Sequence, residues 1–471
     1  MILFLPELAL TFMILVFFFV SLTKLNQARL QWMGLVLSAM AVVASVYTYG
    51  QEGSLFFDAY RIDAFSQLFK VIITFGLFIV IYLGEGLSGI DKTLKPEYYL
   101  FLTLSTFGLI CMSSAVELIT IILSLEIASF ALFIIIPFRK HGAYREPMEA
   151  GIKYALFGAA ASGITLYGMS YIFGLTHTTY LADLVKIIPG MILQKPLIMI
   201  GLVMLLCGFF YKLALFPMHF WAPDVYEGAA NETSAFVATL PKVGAVVLLI
   251  RLIFLAGVDS RQFTWVLAIL AVLSMSFGNL AALVQDDIKR LLAYSSIAHA
   301  GYVMVGLLCV SELGFTSGMY YITGYLLMNL ACFFVIYNLA PKGENISFDD
   351  LKGLYKRSPL LAFTLAVGAF GMAGIPPTVG FTGKLFLFTA AIKNDMYALV
   401  ILAVINTGIA VFYYLKMVRA AYTSIESPMP KISLRFSTYL LGIFFIVIIL
   451  YLGTFPQEFI DFAQEAVAAA I

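Results

Sequence analysis

Residues 196–226 of this chain read PLIMIGLVMLLCGFFYKLALFPMHFWAPDVY, an apolar segment interrupted by Pro217 and Pro223. Residues 358–393 form a second apolar segment, with adjacent prolines at 376 and 377. As continuous helices, the two segments would measure roughly 45 to 55 Å, whereas the hydrocarbon core of a bilayer is about 30 Å thick. Proline removes a backbone donor and clashes with the preceding turn. Each segment is therefore predicted to split into two half-helices around an unwound stretch.

The composition is that of an integral membrane protein. Of the 471 residues, 62% are hydrophobic and 12% are charged, and the mean hydropathy is +0.97. Soluble domains carry about 25% charged residues, so most of this surface must face lipid. This excludes a cytosolic enzyme, a secreted disulfide scaffold and a nucleic-acid binder. The four cysteines lie in apolar runs without CxxC spacing, which predicts neither a disulfide framework nor a metal centre.

Apolar runs of about 20 residues follow one another along almost the whole chain, and each is long enough to cross a bilayer. They predict an all-α polytopic membrane protein with about 14 transmembrane helices. The predicted spans are 2–22, 30–48, 64–83, 98–115, 116–136, 150–174, 196–226, 233–256, 262–284, 288–310, 314–340, 358–393, 396–421 and 436–455.

The loop charges predict the orientation of these spans. Sixteen lysines and arginines fall in odd-numbered loops and five in even-numbered loops. Because cytoplasmic loops carry the excess of positive charge, the odd loops are predicted to be cytoplasmic and both termini to lie on the opposite side. The membrane is predicted to be a bacterial inner membrane.

The positions of the broken helices predict an internal repeat. Helices four to eight and nine to thirteen form two blocks of five, and in each block the fourth helix is the broken one. Five is odd, so consecutive blocks are inserted with opposite orientation, as in inverted-repeat transporters. The predicted units are N-terminal helices in 1–97, a first repeat in 98–256, a second repeat in 262–423 and a C-terminal helix in 424–471.

Four ionisable residues fall at mid-membrane depth, where a charge costs at least about 2.5 to 3.5 kcal/mol. They are Glu126 in helix five, Lys212 just before Pro217, Lys242 in helix eight and Lys384 just after the second break. Burial disfavours the charged form of such groups, so they can exchange protons. The alternative is a set of static ion pairs that fix helix register. Three lysines cannot all pair with one acid, so a proton relay is favoured.

Other polar residues are weaker candidates. His219 lies seven residues after Lys212, on the same face if the helix persists, and His299 lies among hydroxyl groups; either is a proton carrier or a neutral core histidine. Lys153 is explained equally well by snorkelling to the membrane surface. The acids Asp224 and Glu227 are predicted to shape a loop. The charged run 286–290 is predicted to be a solvated helix cap.

Three motifs resemble those of a known family. They are KLALFPMHFWAPDVYEGA at 212–229, QDDIKRLLAYSSIAHAGY at 285–302 and AGIPPTVGFTGK at 373–384. They are similar to the antiporter-like membrane subunits of proton-pumping NADH–quinone oxidoreductase, respiratory complex I. The similarity runs over nearly the whole chain and is greatest to the branch that lacks a long lateral C-terminal helix. One departure is Ala230-Asn231-Glu232-Thr233-Ser234, where the family usually has a Pro-Thr-Pro run.

The resemblance implies a role that the residues alone do not give. Glu126, Lys212, Lys242 and Lys384 match the family's glutamate and lysines, which form a water-linked polar axis that couples quinone reduction elsewhere to proton translocation. The chain would bind no cofactor and catalyse no redox reaction alone. NADH, FMN, iron–sulfur clusters and quinone would be bound by partner membrane and peripheral subunits, without nucleic acid. The alternatives are a subunit of a Na+/H+ antiporter complex or membrane-bound hydrogenase, or a passive scaffold.

Overall fold

The chain is almost entirely helical. The computed structural model describes residues 2–23, 27–140, 145–192, 194–257, 261–424 and 430–470. Lys24, one of the odd-loop cations, and residues 425–429 of the predicted C-terminal unit lie outside the described residues. The helices are α1 Leu5–Ser21, α2 Gln27–Tyr47, α3 Ala64–Leu83, α4 Lys95–Ser114, α5 Leu118–Ile135, α6 Arg145–Thr176, α7 Leu181–Met191, α8 Pro196–Leu213, α9 Trp221–Gly228, α10 Asn231–Ile253, α11 Arg261–Leu283, α12 Ile288–Leu307, α13 Glu312–Leu339, α14 Phe348–Leu351, α15 Leu354–Arg357, α16 Pro359–Ala373, α17 Val379–Lys393, α18 Tyr397–Tyr422, α19 Phe436–Thr454 and α20 Gln457–Ala470.

Every predicted span coincides with a helix or with a broken pair of helices, and the all-α membrane fold is confirmed. In the described part of the chain, eleven helices are by themselves long and apolar enough to cross a membrane. The total of fourteen crossings and the two repeats stay predictions. The sequence did not predict the short helix α7, the terminal helix α20 or the antiparallel hairpin of β1 (Gly53–Leu55) and β2 (Tyr60–Ile62).

Both predicted breaks are present. The first long segment ends as α8 at Leu213 and resumes as α9 at Trp221. The second ends as α16 at Ala373 and resumes as α17 at Val379. Each first half-helix ends in a left-handed residue, Ala214 at φ 59° and Gly374 at φ 85°, which terminates the helical hydrogen bonding.

Two apolar helices form the centre of the bundle. The hydrophobic segment of α10 is completely buried inside the protein, and that of α13 is 94% buried. They pack against each other, and α10 also packs against α3, α4 and α8. In helices at the periphery, such as α19, only 22% of the hydrophobic segment is buried inside the protein. A charge on α10 is therefore surrounded by protein rather than by lipid.

A buried ion pair joins α1 to α3. Lys70 Nζ lies 2.6 Å from Glu7 Oε1, and both side chains are essentially inaccessible to solvent. The Tyr60 hydroxyl also donates to Glu7 Oε1 at 2.6 Å. The sequence did not predict this pair, because Glu7 and Lys70 lie on different helices and no local pattern links them.

Replacing Lys70 with methionine is expected to destabilise the protein by about 3 to 5 kcal/mol, because it leaves Glu7 buried and uncompensated. The measurement is thermal unfolding of the detergent-solubilised complex. The matched control is Lys352→Met, which removes an exposed ion pair with Asp349 and is expected to change stability by less than about 1 kcal/mol. Equal melting temperatures for the two variants would contradict the prediction.

Candidate functional site

The two helix breaks expose backbone carbonyl groups inside the protein. The last four carbonyls of a helix have no partner within it, and they carry the negative end of the helix dipole. At the first break this end is near Leu213, and at the second it is near Met372 and Ala373. A cation placed at either point is stabilised without a carboxylate.

A lysine from another element occupies each of these ends. Lys242 on α10 donates to the Leu213 carbonyl and to Ser296 Oγ, both at 2.9 Å. Lys384 on α17 donates to the carbonyls of Met372 and Ala373 at 3.0 and 3.1 Å. Both lysines are at least 96% buried. Lys242 and Lys384 thus have equivalent electrostatic positions at the two breaks.

Lys212 is placed differently. It lies in the last turn of α8 and is 1% exposed, and its Nζ has no hydrogen-bond partner among the described residues. The Tyr154 ring lies 6.0 Å away. Glu126 on α5 acts on Lys212 electrostatically through space, while its carboxylate accepts a hydrogen bond from Ser162. A direct Glu126 to Lys212 ion pair is therefore not formed.

His299 lies between Lys242 and Lys384, and both lysines act on it electrostatically. It is 3% exposed, and its two ring nitrogens lie 2.7 Å from the Tyr321 hydroxyl and 3.1 Å from the Tyr414 hydroxyl. A hydroxyl group both donates and accepts, so the imidazole is connected on both sides whichever nitrogen carries the proton.

One face of α12 connects the two lysines. Ser296 binds Lys242, His299 follows one turn later, and Tyr302 follows another turn later with its ring centroid 4.7 Å from Lys384 Nζ. Residues three apart in a helix are neighbours on its surface, so these side chains form a row along one face of α12. Of these three residues, His299 alone was predicted as a candidate proton carrier, and Ser296 and Tyr302 were among the hydroxyl residues around it, without a role of their own. Their three-residue spacing in the motif at 285–302 was the available signal.

His219 is not part of this row. Its ring packs against Phe216, Phe220 and Phe277, and neither nitrogen has a hydrogen-bond partner among the described residues. Its predicted alignment with Lys212 on one helix face does not occur, because α8 ends at Leu213. The geometry favours the apolar interpretation of His219 over a role as proton carrier.

Lys153 belongs to an ion network that joins α6, α9 and α12. Its Nζ lies 2.5 Å from Asp224 and 2.7 Å from Glu149. Arg290 binds the other oxygen of Asp224 at 2.8 Å and Glu227 at 2.6 Å. The prediction that Asp224 and Glu227 merely shape a loop is wrong, because they link α9 to both flanking helices.

The charged run at the start of α12 is only partly a solvated cap. Asp287 caps the helix, since its side chain accepts from the Arg290 N–H at 2.8 Å. Lys289, however, is completely buried and donates to the Ala229 carbonyl at 3.0 Å. Glu232, in the segment that departs from the family pattern, is 1% exposed, and neither carboxylate oxygen has a hydrogen-bond partner among the described residues. The burial of Lys289 and Glu232 was not predicted, because both stand at predicted span ends.

Comparison with known proteins identifies the family. Residues 115–410, more than half of the chain, match the model described as the transmembrane region of NADH:quinone oxidoreductase and Mrp antiporter proteins. NADH-quinone oxidoreductase subunit N 2 from Solidesulfovibrio magneticus is 47% identical over 98% of this chain and 97% of its own length. The chain belongs to the subunit N family of NADH-quinone oxidoreductases. The resemblance inferred from the sequence motifs is confirmed.

Solved structures share this fold. A chain of respiratory complex I from Thermus thermophilus superposes with a TM-score of 0.80 at 28% identity and covers 98% of both chains. A chain of the Mrp complex from Dietzia sp. superposes with a TM-score of 0.87 at 18% identity, covering 99% of this chain and 96% of its own. At 18% identity, the similarity to the Mrp chain concerns the fold alone. The assignment to the subunit N family therefore rests on the family model and on the Solidesulfovibrio magneticus relative.

Proposed function

We propose that this subunit translocates protons through Glu126, Lys212, Lys242, His299 and Lys384, in a complex that oxidises NADH and reduces quinone. The observation that carries the proposal is the row on α12: Lys242 is hydrogen-bonded to Ser296, and Lys384 lies against Tyr302, with His299 between them. This row would connect the two broken helices, which lie in the two predicted repeats.

The lysines at the helix ends are suited to hold and release a proton. A charged lysine is stabilised there by the carbonyl dipoles, whereas its burial favours the neutral amine. These opposing effects bring the two protonation states close in free energy. The proton can then move when a neighbouring charge changes, and Ser296 Oγ, which accepts from Lys242 and donates to the Ala293 carbonyl, is the first hydroxyl on the route.

A relay accounts for Lys212 better than a scaffold does. A scaffold lysine is retained for its hydrogen bonds, because an unpaired buried charge is strongly destabilising. Lys212 has no such bond among the described residues, yet Glu126 acts on it through space. A pair that can move closer together or further apart would alternately favour the charged and the neutral lysine. This is the step at which a proton enters or leaves the row.

The proposal also includes the cofactors, the membrane and the orientation of the chain. NADH, FMN, iron–sulfur clusters and quinone are assigned to partner subunits, and this chain is assigned no cofactor. The complex is placed in a bacterial inner membrane, with both termini of this chain on the non-cytoplasmic side. A sodium antiporter is the competing function, because the matching family model also covers Mrp antiporter proteins. Proton movement by the purified complex that is independent of sodium would favour the relay proposed here.

The proposal predicts that Ser296→Ala lowers NADH-driven proton uptake into proteoliposomes severalfold, because a hydrogen bond to a charged group contributes about 1.5 to 3 kcal/mol. NADH oxidation by the peripheral subunits, measured with an artificial electron acceptor, is expected to persist. Ser317→Ala is the matched control, since Ser317 is also buried and also donates to a carbonyl of its own helix, whereas Ser296 in addition accepts from Lys242. Equal proton uptake by the two variants would contradict the proposal.

A further inference from the structure

A basic cavity of about 550 Å³ opens at the membrane end that carries the odd-numbered loops. Its cations are Lys92, Lys95, Lys140, Lys342 and Arg435. They converge from separate parts of the chain: the α3–α4 segment and the start of α4, the segment after α5, the segment after α13, and the residue before α19. The excess of positive loop charge explains that such residues occur at this end, but it does not explain their convergence on one cavity.

The lining of this cavity carries an excess of positive charge. Glu85 is the acidic residue in its described lining, and it is paired with Arg435. Lys95 donates to the Gly86 carbonyl at 2.5 Å, which positions it at the cavity wall, and Glu232 and Asp91 act on it electrostatically. Lys92, Lys140 and Lys342 are exposed, and none of them forms an ion pair with another described residue. The cavity therefore suits an anion.

The basic cavity continues into an apolar groove. It shares Glu85, Ser88, Pro341 and Arg435 with a connecting cavity of about 120 Å³. The connecting cavity shares Tyr82 and Leu441 with a third cavity, of about 230 Å³, between α3 and α19. We call this third cavity the groove. Apart from the Tyr82 hydroxyl its lining is apolar, and its other side chains are Leu441, Phe75, Phe78, Ile79, Leu440 and Phe444.

Together, the three adjoining cavities have the shape and polarity of a phospholipid. The groove follows α3 from Tyr82 to Phe75, about 10 Å along the helix axis, toward the membrane interior. Its wall on α19 faces the lipid side, since Leu440 is 48% exposed. A free phosphate ion would need only the basic cavity, and a neutral lipid would need only the groove. Basic pockets between transmembrane helices on the cytoplasmic side are suited to anionic lipid head groups.

We propose that an anionic phospholipid binds between α3 and α19, with its phosphate among Lys92, Lys140 and Lys342 and an acyl chain in the groove along Tyr82 and Phe444. The bound lipid would offset part of the positive charge that three segments bring together. It would also fill the groove between α19 and α3. The site is separate from the row of proton carriers, so it does not depend on the proposed function.

The test uses the intact complex, delipidated in detergent and titrated with spin-labelled phosphatidylglycerol or phosphatidylcholine. The variant Lys92→Gln/Lys140→Gln/Lys342→Gln is expected to weaken phosphatidylglycerol binding by roughly tenfold or more, because each cation near a phosphate contributes to its attraction. The control is the variant Lys352→Gln/Lys356→Gln/Lys431→Gln. It removes the same number of positive charges from odd-numbered loops, but these three lysines do not line the cavity. It is expected to bind like the unaltered complex.

A second variant keeps the charges and fills the groove. Leu440→Trp is expected to weaken phosphatidylglycerol binding as well, since the acyl chain loses its place. Equal affinity of the two triple variants would overturn the proposal, and so would equal affinity for phosphatidylcholine and phosphatidylglycerol. Competition by millimolar inorganic phosphate together with normal binding to Leu440→Trp would assign the cavity to free phosphate instead. Failure of the unaltered complex to bind either lipid would also overturn the proposal, and the groove would then be assigned to contact with a partner subunit.

Discussion

Replacing Lys242 with glutamine is expected to lower NADH-driven proton translocation by roughly tenfold or more while the complex still assembles. Loss of a positioned proton carrier typically costs two or more orders of magnitude in a proton-transfer step. Glutamine retains an N–H₂ group that can donate to the Leu213 carbonyl or to Ser296, so the packing around α10 is largely preserved. It cannot carry a proton, and this is the property under test.

The measurement is acidification of proteoliposomes that contain the purified complex, compared with the amount of complex recovered. Lys356→Gln is the matched control, because Lys356 lies at the end of α15 and contacts the ring of Tyr355 rather than the polar row. We expect it to pump normally. A Lys242→Gln complex that assembles and pumps at the control rate would remove Lys242 from the relay, whereas one that fails to assemble would support a scaffold.

Replacing Gly380 with alanine is expected to destabilise the second broken helix by about 3 kcal/mol or more, since overpacking of a rigid contact forces backbone movement. A Cβ atom at Gly380 would lie 1.8 Å from the Gly371 carbonyl oxygen and 3.0 Å from the Met328 sulfur. The first obstacle is backbone and cannot rotate away. Separation of α16 from α17 would also move Lys384 from the carbonyls that it binds.

Thermal unfolding and yield of the complex measure this effect. Gly408→Ala is the control, because a Cβ there meets no atom within 4 Å and lies inside the regular helix α18. We expect it to be neutral or to stabilise by about 0.5 to 1 kcal/mol, as alanine does in helix interiors. Unchanged stability of Gly380→Ala would show that the two half-helices are not in close backbone contact.

The sequence predicted most of the fold because hydrophobic length and proline are strong local signals. The breaks at Pro217 and Pro376 were predicted correctly, since no tertiary contact is needed to interrupt a helix at proline. The short amphipathic helix α7 was missed because it is too short for a span and lies among loop residues. The hairpin β1–β2 was missed for the same reason.

The site was predicted as a set of residues but not as an arrangement. Burial of Lys242 and Lys384 followed from their depth, but their partners are carbonyl groups, which every residue has and which no sequence pattern identifies. For Lys289 and Glu232, it is the burial itself that was not predicted. Each stands at the end of a predicted span, where solvent is expected, and only the packing of α10 and α12 against neighbouring helices buries it.

The central claim is that protons pass between the two broken helices through His299, and His299→Gln tests it most directly. Glutamine can still donate to and accept from the hydroxyls of Tyr321 and Tyr414, but it does not titrate. The measurement is the number of protons taken up into proteoliposomes per NADH oxidised by the intact complex. We predict that the His299→Gln complex assembles at the normal level and that this ratio falls. A ratio equal to that of the unaltered complex would contradict the relay.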